Sequence, residues 1–417
     1  MNKLLQFLQS YRYPILLIFV GLLILEVLNF FLQLSDQTFI YPDSFSYFDA
    51  ATDLFLHLRG HCYRPIGMAF ISGLPYLFGA KGPAIFGWSF YVNMGFWLGT
   101  ALLLYASGKA FLAAPWAFVV ACVYLLCVGP ATITFHLLTE NAYSFLLLLF
   151  LHQFFKYQKT SNYFHLAVGL SVLLFSMLIK PGAKFLAIGV FLYAAKQVFQ
   201  HRKARISGLI YGTLLLIALQ LVGMKAQFGN ATLSYIDGIT YHNYLCTKAV
   251  CYQEGVPYHQ INNERAAYLH QFSLPDRKTI AAADLINQLL HNTLNLVKAY
   301  LSNLWDNTIS GSPYIQDCVN RNQTPAFEPS KSLLFALSKW QNRGLTLLGI
   351  GLSMWVLYAR KRVGKYGVMP VICLLYTVLL SGVSCSQGDR FHLVIYPISL
   401  LLAAYLWSVF STKKALN

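Results

Sequence analysis

Residues 42–67, PDSFSYFDAATDLFLHLRGHCYRPIG, place Asp43, Asp49 and Asp53 shortly before Arg59 and Arg64-Pro65. They follow directly on a stretch apolar enough to span a bilayer. Acids and bases are costly beside hydrocarbon, so a cluster of both at a membrane surface points to binding or chemistry. The same residue types recur at the ends of later apolar segments, as His136 and Glu140, Lys180 and Lys184, and Gln387 followed by Asp389-Arg390. A carboxylate can act as general base on a hydroxyl. Arginine and lysine can hold a phosphate, arginine through two parallel bonds. Together the set suits an anionic lipid head group beside a nucleophile that must lose a proton.

The elements that position these residues are partly legible. Pro42 followed by Asp43 reads as a helix start, with Asp43 at the N-cap or in the first turn. A helix continuing from there puts Asp43, Tyr47 and Ala50 on one face and Phe45, Phe48, Thr52 and Phe55 on the other. Asp49 then points away from Asp43, which argues against an acid–base pair of those two. Plainer roles exist for each residue. Asp43 and Glu140 also fit as helix caps, and Asp49 and Asp53 as solvated acids or partners of Arg59. Lys180 and Lys184 fit as lysines reaching to lipid phosphates, Asp389 and Arg390 as a surface pair, and His136 as an interfacial hydrogen-bonder.

The 417 residues are 57% hydrophobic and only 11% charged, against about 25% charged in soluble domains. Mean hydropathy is +0.51. A spanning helix needs about 20 mostly apolar residues, and candidates lie near 13–34, 83–106, 114–133, 140–156, 163–179, 182–199, 206–223, 343–359, 366–384 and 391–411. The expectation is an all-α polytopic membrane protein with about ten transmembrane helices. Its first span reads as an uncleaved anchor, too long for a signal-peptide core and with no A-x-A site after it. With the N-terminus inside, the inner segments carry bases such as Lys109, Lys156, Arg202, Lys203, Arg360 and Lys361 and no acid, which orients both termini to the cytoplasm. The net charge of +16 is then largely an orientation signal and calls for no nucleic acid.

Three extramembrane pieces follow from this topology. A long first outer loop, 35–82, carries apolar stretches able to lie along the membrane. A larger outer region, 224–342, separates an N-terminal transmembrane core (1–223) from C-terminal helices (343–417). Within it, leucines at helical spacing over 279–304 predict one amphipathic helix packed on the loop or on the bilayer. A short outer turn, 384–390, sets Asp389 and Arg390 at a helix mouth. Of eight cysteines, Cys246 and Cys251 are spaced for a local disulfide on the outer side, and no spacing suggests zinc. Glu26, alone inside the first span, reads as a bond to a neighbouring helix.

Four motifs, in order along the chain, carry a resemblance. They are Asp43-Ser-Phe-Ser-Tyr47, Arg64-Pro65-Ile66-Gly67, Thr139-Glu140, and Gln387-Gly388-Asp389-Arg390-Phe391 with Tyr396-Pro397. The chain resembles the C-type superfamily of integral-membrane glycosyltransferases, whose donors are polyprenyl-phosphate sugars. It is most similar in pattern to the bacterial relatives of dolichyl-phosphate-mannose protein mannosyltransferases and to lipid A aminoarabinose transferases. It departs from them in having Ser44 where many relatives have a second acid, and Phe391 where tyrosine is usual.

The resemblance implies an inverting transfer in the inner membrane, on its periplasmic face, to a hydroxyl of a glycan, glycolipid or protein acceptor in cell-envelope assembly. It implies Asp43 as general base, Glu140 as orienting carboxylate, and Arg390, Lys180, Arg64 and Arg59 around the donor phosphate. Tyr47, His136, Asp389 and Gln387 would contact substrate. No metal ligand set is visible, although some relatives use a divalent cation and others do not. Two other functions compete. An O-antigen polymerase or ligase would use arginines of the large outer region, here Arg265, Arg277, Arg321 and Arg343. A transporter would need polar residues at mid-bilayer and broken helices in two related halves.

Overall fold

The computed structural model describes residues 2–37, 41–80, 82–259 and 263–414, and among them every regular element is helical. The chain starts with α1 (Asn2–Leu32), followed by two short helices packed side by side, α2 (Pro42–Leu56) and α3 (Ile66–Gly73). Next come α4 (Gly82–Gly108), α5 (Ala114–Leu125), the single turn α6 (Val128–Thr132), α7 (Glu140–Thr160), α8 (Tyr163–Ile179), α9 (Lys184–Gln200) and α10 (Ser207–Phe228). Shorter elements then build the intervening region. These are α11 (Ile236–Gly238), a π-helix (Ile239–Cys246), α12 (Thr247–Glu254), α13 (Glu264–His270), α14 (Leu274–His291), α15 (Thr293–Ile309) and α16 (Pro313–Gln316). The last helices are α17 (Phe327–Tyr358), α18 (Arg360–Val363), α19 (Val368–Ser381) and α20 (Tyr396–Lys414).

Four helical stretches are long and apolar enough to cross a membrane: Tyr11–Leu32, Pro181–Gln200, Ser207–Phe228 and Leu393–Ser411. A fifth exists if Ala114–Leu125 and Val128–Phe135, bent by 65°, form one broken span. This is a membrane protein, with fewer such helices among the described residues than hydropathy led us to expect. Length accounts for part of the difference, since α8 has 17 residues and α19 has 14. Polarity accounts for more. The longer helices α4 and α17 carry Ser89, Asn93, Thr100 and Ser107, and Asn342, Thr346 and Ser353, all buried against neighbours. One core joins these helices, with Trp97, Tyr124, Phe150 and Tyr396 fully buried in it.

Three expectations are corrected. The amphipathic helix of 279–304 is two helices, because the backbone leaves the helical region at Asn292 (φ −139°, ψ 33°). Of its leucines, Leu285 and Leu296 join a small core with Leu245 and Ala249, whereas Leu289, Leu290, Leu294 and Leu301 stay exposed. All eight cysteines are free thiols. Cys246 and Cys251 lie five residues apart on continuous helical chain, hence on different faces. Glu26 is exposed on α1, so it does not bond a neighbouring helix of this chain.

α15 is the strut that carries the turn 384–390. Tyr300 Oη donates to the Leu379 carbonyl (2.7 Å), Asn303 Nδ2 to that of Gly382 (3.2 Å), and Asn307 Nδ2 to those of Ser381 (2.9 Å) and Ser384 (2.8 Å). These donors add to the turn bonds that the Leu379 and Ser381 carbonyls already accept and bond the Gly382 and Ser384 carbonyls beyond the end of α19. Asn342 of α17 holds α15 in turn, through the carbonyls of Asn307 (2.7 Å) and Ser310 (2.8 Å).

Candidate active site

Asp43 lies in the first turn of α2, after Pro42 at the position where a missing N–H is tolerated. The N-cap is Tyr41, without a side-chain bond, so Asp43 is not the cap. Instead Oδ1 accepts from Arg64 Nη2 at 2.7 Å and Oδ2 from Arg390 Nη1 at 2.5 Å. Glu140 opens α7, and its Oε2 accepts the Thr139 N–H at 3.0 Å. Its Oε1 receives Arg390 Nε at 2.6 Å and Lys180 Nζ at 3.1 Å. Arg390 therefore ties both carboxylates together, and the ionic chain runs Arg64, Asp43, Arg390, Glu140, Lys180.

Local structure explains how each cation arrives. His61 Nδ1 accepts the N–H groups of Tyr63 and Arg64, both at 3.2 Å, which folds the approach to Arg64. The Arg64 guanidinium then lies over the Tyr47 ring at 4.3 Å and donates from Nε to Ser46 Oγ at 2.7 Å. Pro65 caps α3, and a Cβ at Gly67 would collide with the Leu178 carbonyl. That close approach seats α3 on the end of α8, two residues before Lys180. Arg390 ends a turn in which Ser386 and Gly388 both take left-handed backbone angles (φ 52° and 58°). A Cβ at Gly388 would meet the Gly311 carbonyl and Pro313, so glycine is required on both counts.

These groups line a cavity of about 350 Å³ together with Tyr41, Tyr63, Gln387 and Phe391. Lys180 Nζ stands over the Phe391 ring at 5.1 Å. The opposite wall comes from the intervening region as Asp237, Thr240, Tyr241 and Tyr244. Asp237 pairs with Lys184 at 2.8 Å and with Lys278 at 3.6 Å. Lys184 is thus held by protein, not extended to lipid. Counting the lining residues Arg64, Lys180, Lys184 and Arg390 against Asp43, Glu140 and Asp237 leaves one positive charge in excess, and Lys278, outside the lining, adds to it through Asp237. Burial opposes ionisation of Asp43, but the guanidiniums of Arg390 and then Arg64 outweigh it and hold its carboxyl well below the usual range. Among the described residues no group of three or more His, Cys, Asp or Glu is arranged to hold a metal ion. With its carboxylates already matched by cations, this donor set fits an anion and not a divalent cation.

Of the residues singled out in the sequence, Asp43, Tyr47, Arg64, Glu140, Lys180, Gln387 and Arg390 come together around this cavity. Three do not. Arg59 is exposed and pairs with Asp53 at 2.8 Å, away from the lining. His136 is buried behind Tyr41 and Tyr314, its ring 6.2 and 5.3 Å from theirs. Asp389 is no surface pair; it is fully buried below the turn, against Gly129 and Ser312. Burial raises its carboxyl well above the usual range, favouring the neutral acid. Asp237, Tyr241 and Tyr244 were not legible beforehand, because the 224–342 region has no recognisable motif. The one available signal was the basic Lys184, which needed a partner.

No protein-family model matches the chain, and no curated protein matches its sequence. Two solved structures are similar in helix arrangement. One is the archaeal oligosaccharyltransferase AglB from Archaeoglobus fulgidus in complex with an inhibitory peptide and a dolichol-phosphate, with 10% identity, a TM-score of 0.46, and coverage of 98% of this chain and 51% of that one. The other is the Archaeoglobus fulgidus oligosaccharyltransferase in the apo form, with 11% identity, a TM-score of 0.46, and coverage of 96% and 51%. The chain spans about half the length of these structures. At that identity and score, the function has to be read from the site itself.

Proposed function

We propose that this protein transfers a sugar from a polyprenyl-phosphate donor to an acceptor hydroxyl, with inversion, on the periplasmic face of the inner membrane. The observation that carries the reading is the five-membered ionic chain from Arg64 to Lys180 along a cavity with excess positive charge. Arg390, Arg64 and Lys180 offer guanidinium and ammonium donors to a phosphate in a region linked to apolar helices. In this reading the donor phosphate competes with Asp43 for Arg390 and Arg64. Once they turn to the phosphate, Asp43 is released and becomes a stronger base. It takes the acceptor's O–H proton as that oxygen bonds to the anomeric carbon. The bond from that carbon to the phosphate oxygen breaks, and its electron pair leaves with the polyprenyl phosphate. Glu140 keeps Lys180 and Arg390 in place.

Two of the four arginines that a polymerase or ligase would use, Arg265 and Arg277, favour this reading. Arg265 is engaged by Asp284 at 2.5 Å and Arg277 by the carbonyls of Phe272 and His270, and neither lines the cavity. The acceptor is a glycan, glycolipid or protein of the envelope. The test is mass spectrometry of surface glycans and glycolipids in wild type, a deletion strain, and the deletion complemented with Asp43→Asn or Arg390→Ala at matched membrane levels. The expected outcome is one sugar lost on deletion and restored by neither variant. Full restoration by both would remove the transfer reading.

A further inference from the structure

The cavity holds three carboxylates, and they differ in what remains open to a ligand. Both oxygens of Asp43 are taken by guanidiniums, and both oxygens of Glu140 by cations or the Thr139 N–H. Asp237 is different. The Lys184 hydrogen bond and the Lys278 contact both fall on Oδ2, and among the described residues Oδ1 has no hydrogen-bonding partner. Asp237 nevertheless lines the cavity. Its position is also built. Ser234 Oγ donates to the Tyr63 carbonyl (2.7 Å) and receives the Ile236 N–H (3.0 Å), and the Tyr235 N–H donates to the Cys62 carbonyl (2.9 Å). The segment entering Asp237 is therefore pinned to the same chain that delivers Arg64.

We propose that Asp237 Oδ1 accepts a hydrogen bond from a sugar hydroxyl, in the donor or the acceptor, and so contributes to sugar selection. This rests on the transfer reading above. A carboxylate fixed on one oxygen by Lys184 and open on the other is an oriented acceptor, and it can take only a donor group such as O–H. Thr240, Tyr241 and Tyr244 follow it on the π-helix and line the same wall. They add hydroxyls and ring faces suited to a pyranose or furanose. The cationic wall would then hold phosphate, and the Asp237 wall would read the sugar. A site built to bond a hydroxyl rejects an analogue lacking it, because its own polar group is left unpaired.

The experiment uses the full chain in membranes of the deletion strain, supplied with short-chain polyprenyl-phosphate mannose, glucose and arabinose and their monodeoxy forms. Endogenous acceptor is varied by diluting the membranes. Wild type, Asp237→Ala, the isosteric Asp237→Asn, Lys184→Met and Asp43→Asn are compared. Asp237→Ala and Asp237→Asn should raise one KM by about 10- to 100-fold, the effect of losing a hydrogen bond to a charged group, with kcat changed only a few-fold. One monodeoxy donor should be weak with wild type and no weaker with Asp237→Ala. If instead the acceptor KM moves and no deoxy donor behaves this way, the hydroxyl belongs to the acceptor. Transfer by wild type but not by Asp43→Asn, with unchanged KM values for both Asp237 variants, would overturn this proposal alone. Lys184→Met, which removes the group that fixes Oδ2, should raise the same KM but by less than Asp237→Ala does. No transfer by wild type from any probe would overturn the transfer reading and this proposal with it.

Discussion

Asp43 combines two tasks that pull against each other. Held between Arg64 and Arg390 it is a weak base, yet, half-buried itself, it neutralises two largely buried guanidiniums. Removing one partner of a buried ion pair costs about 3–5 kcal/mol, because the other charge stays uncompensated. Asp43→Asn should therefore lower the thermal unfolding temperature in detergent at pH 7 as well as abolish transfer. The pH dependence has a defined sign. The native carboxyl lies below its ordinary 3.8, so the unfolded chain binds more protons, and the stabilisation is fully present above about pH 4 and lost as pH falls through the native value. The stability gap between wild type and Asp43→Asn should stay constant from pH 8 to 5 and shrink below about pH 4. A gap that widens on acidification would contradict this electrostatic account.

At the scale of elements, the decisive part is the turn 384–390 and the strut beneath it. Arg390 reaches both carboxylates only because Gly388 takes φ 58° while packed on the Gly311 carbonyl. Gly388→Ala adds a Cβ to an occupied space and a left-handed strain of roughly 1–2 kcal/mol. It should insert in the membrane normally and lose most of its transfer activity, with the defect seen as a raised donor KM. Unchanged kinetics in Gly388→Ala would mean that Arg390 is not positioned by this turn. The asparagines of α15 act one step further back by holding the end of α19.

For the whole molecule, the informative property is the charge balance of the cavity against that of the chain. Most of the +16 lies elsewhere in the chain, but the cavity lining keeps its own excess of one positive charge after its ion pairs are counted. Transfer in isolated membranes should be unaffected by EDTA, and inorganic pyrophosphate should inhibit competitively with the donor. Its inhibition should weaken as ionic strength rises, because added salt screens the attraction. Abolition by EDTA with recovery on adding Mg²⁺ or Mn²⁺ would contradict the anion-binding character assigned to the donor set.

Composition and the apolar runs of helix-spanning length determined that the chain is helical and lives in a membrane, because such a run in lipid must satisfy its own backbone hydrogen bonds. Local pattern also placed the start of α2 and the shared face of Asp43 and Tyr47, since Pro42 and helical spacing are short-range signals. The residue set around the cavity was largely legible too, because polar groups at the ends of apolar segments are costly enough to stand out. Three things needed the tertiary structure. The sharing of Arg390 between Asp43 and Glu140 depends on chain segments far apart in sequence. The withdrawal of Arg59, His136 and Asp389 from the cavity depends on burial, which spacing does not encode. The arrival of Asp237 depends on a loop pinned by backbone hydrogen bonds, which any sequence can make, so no residue type announces it.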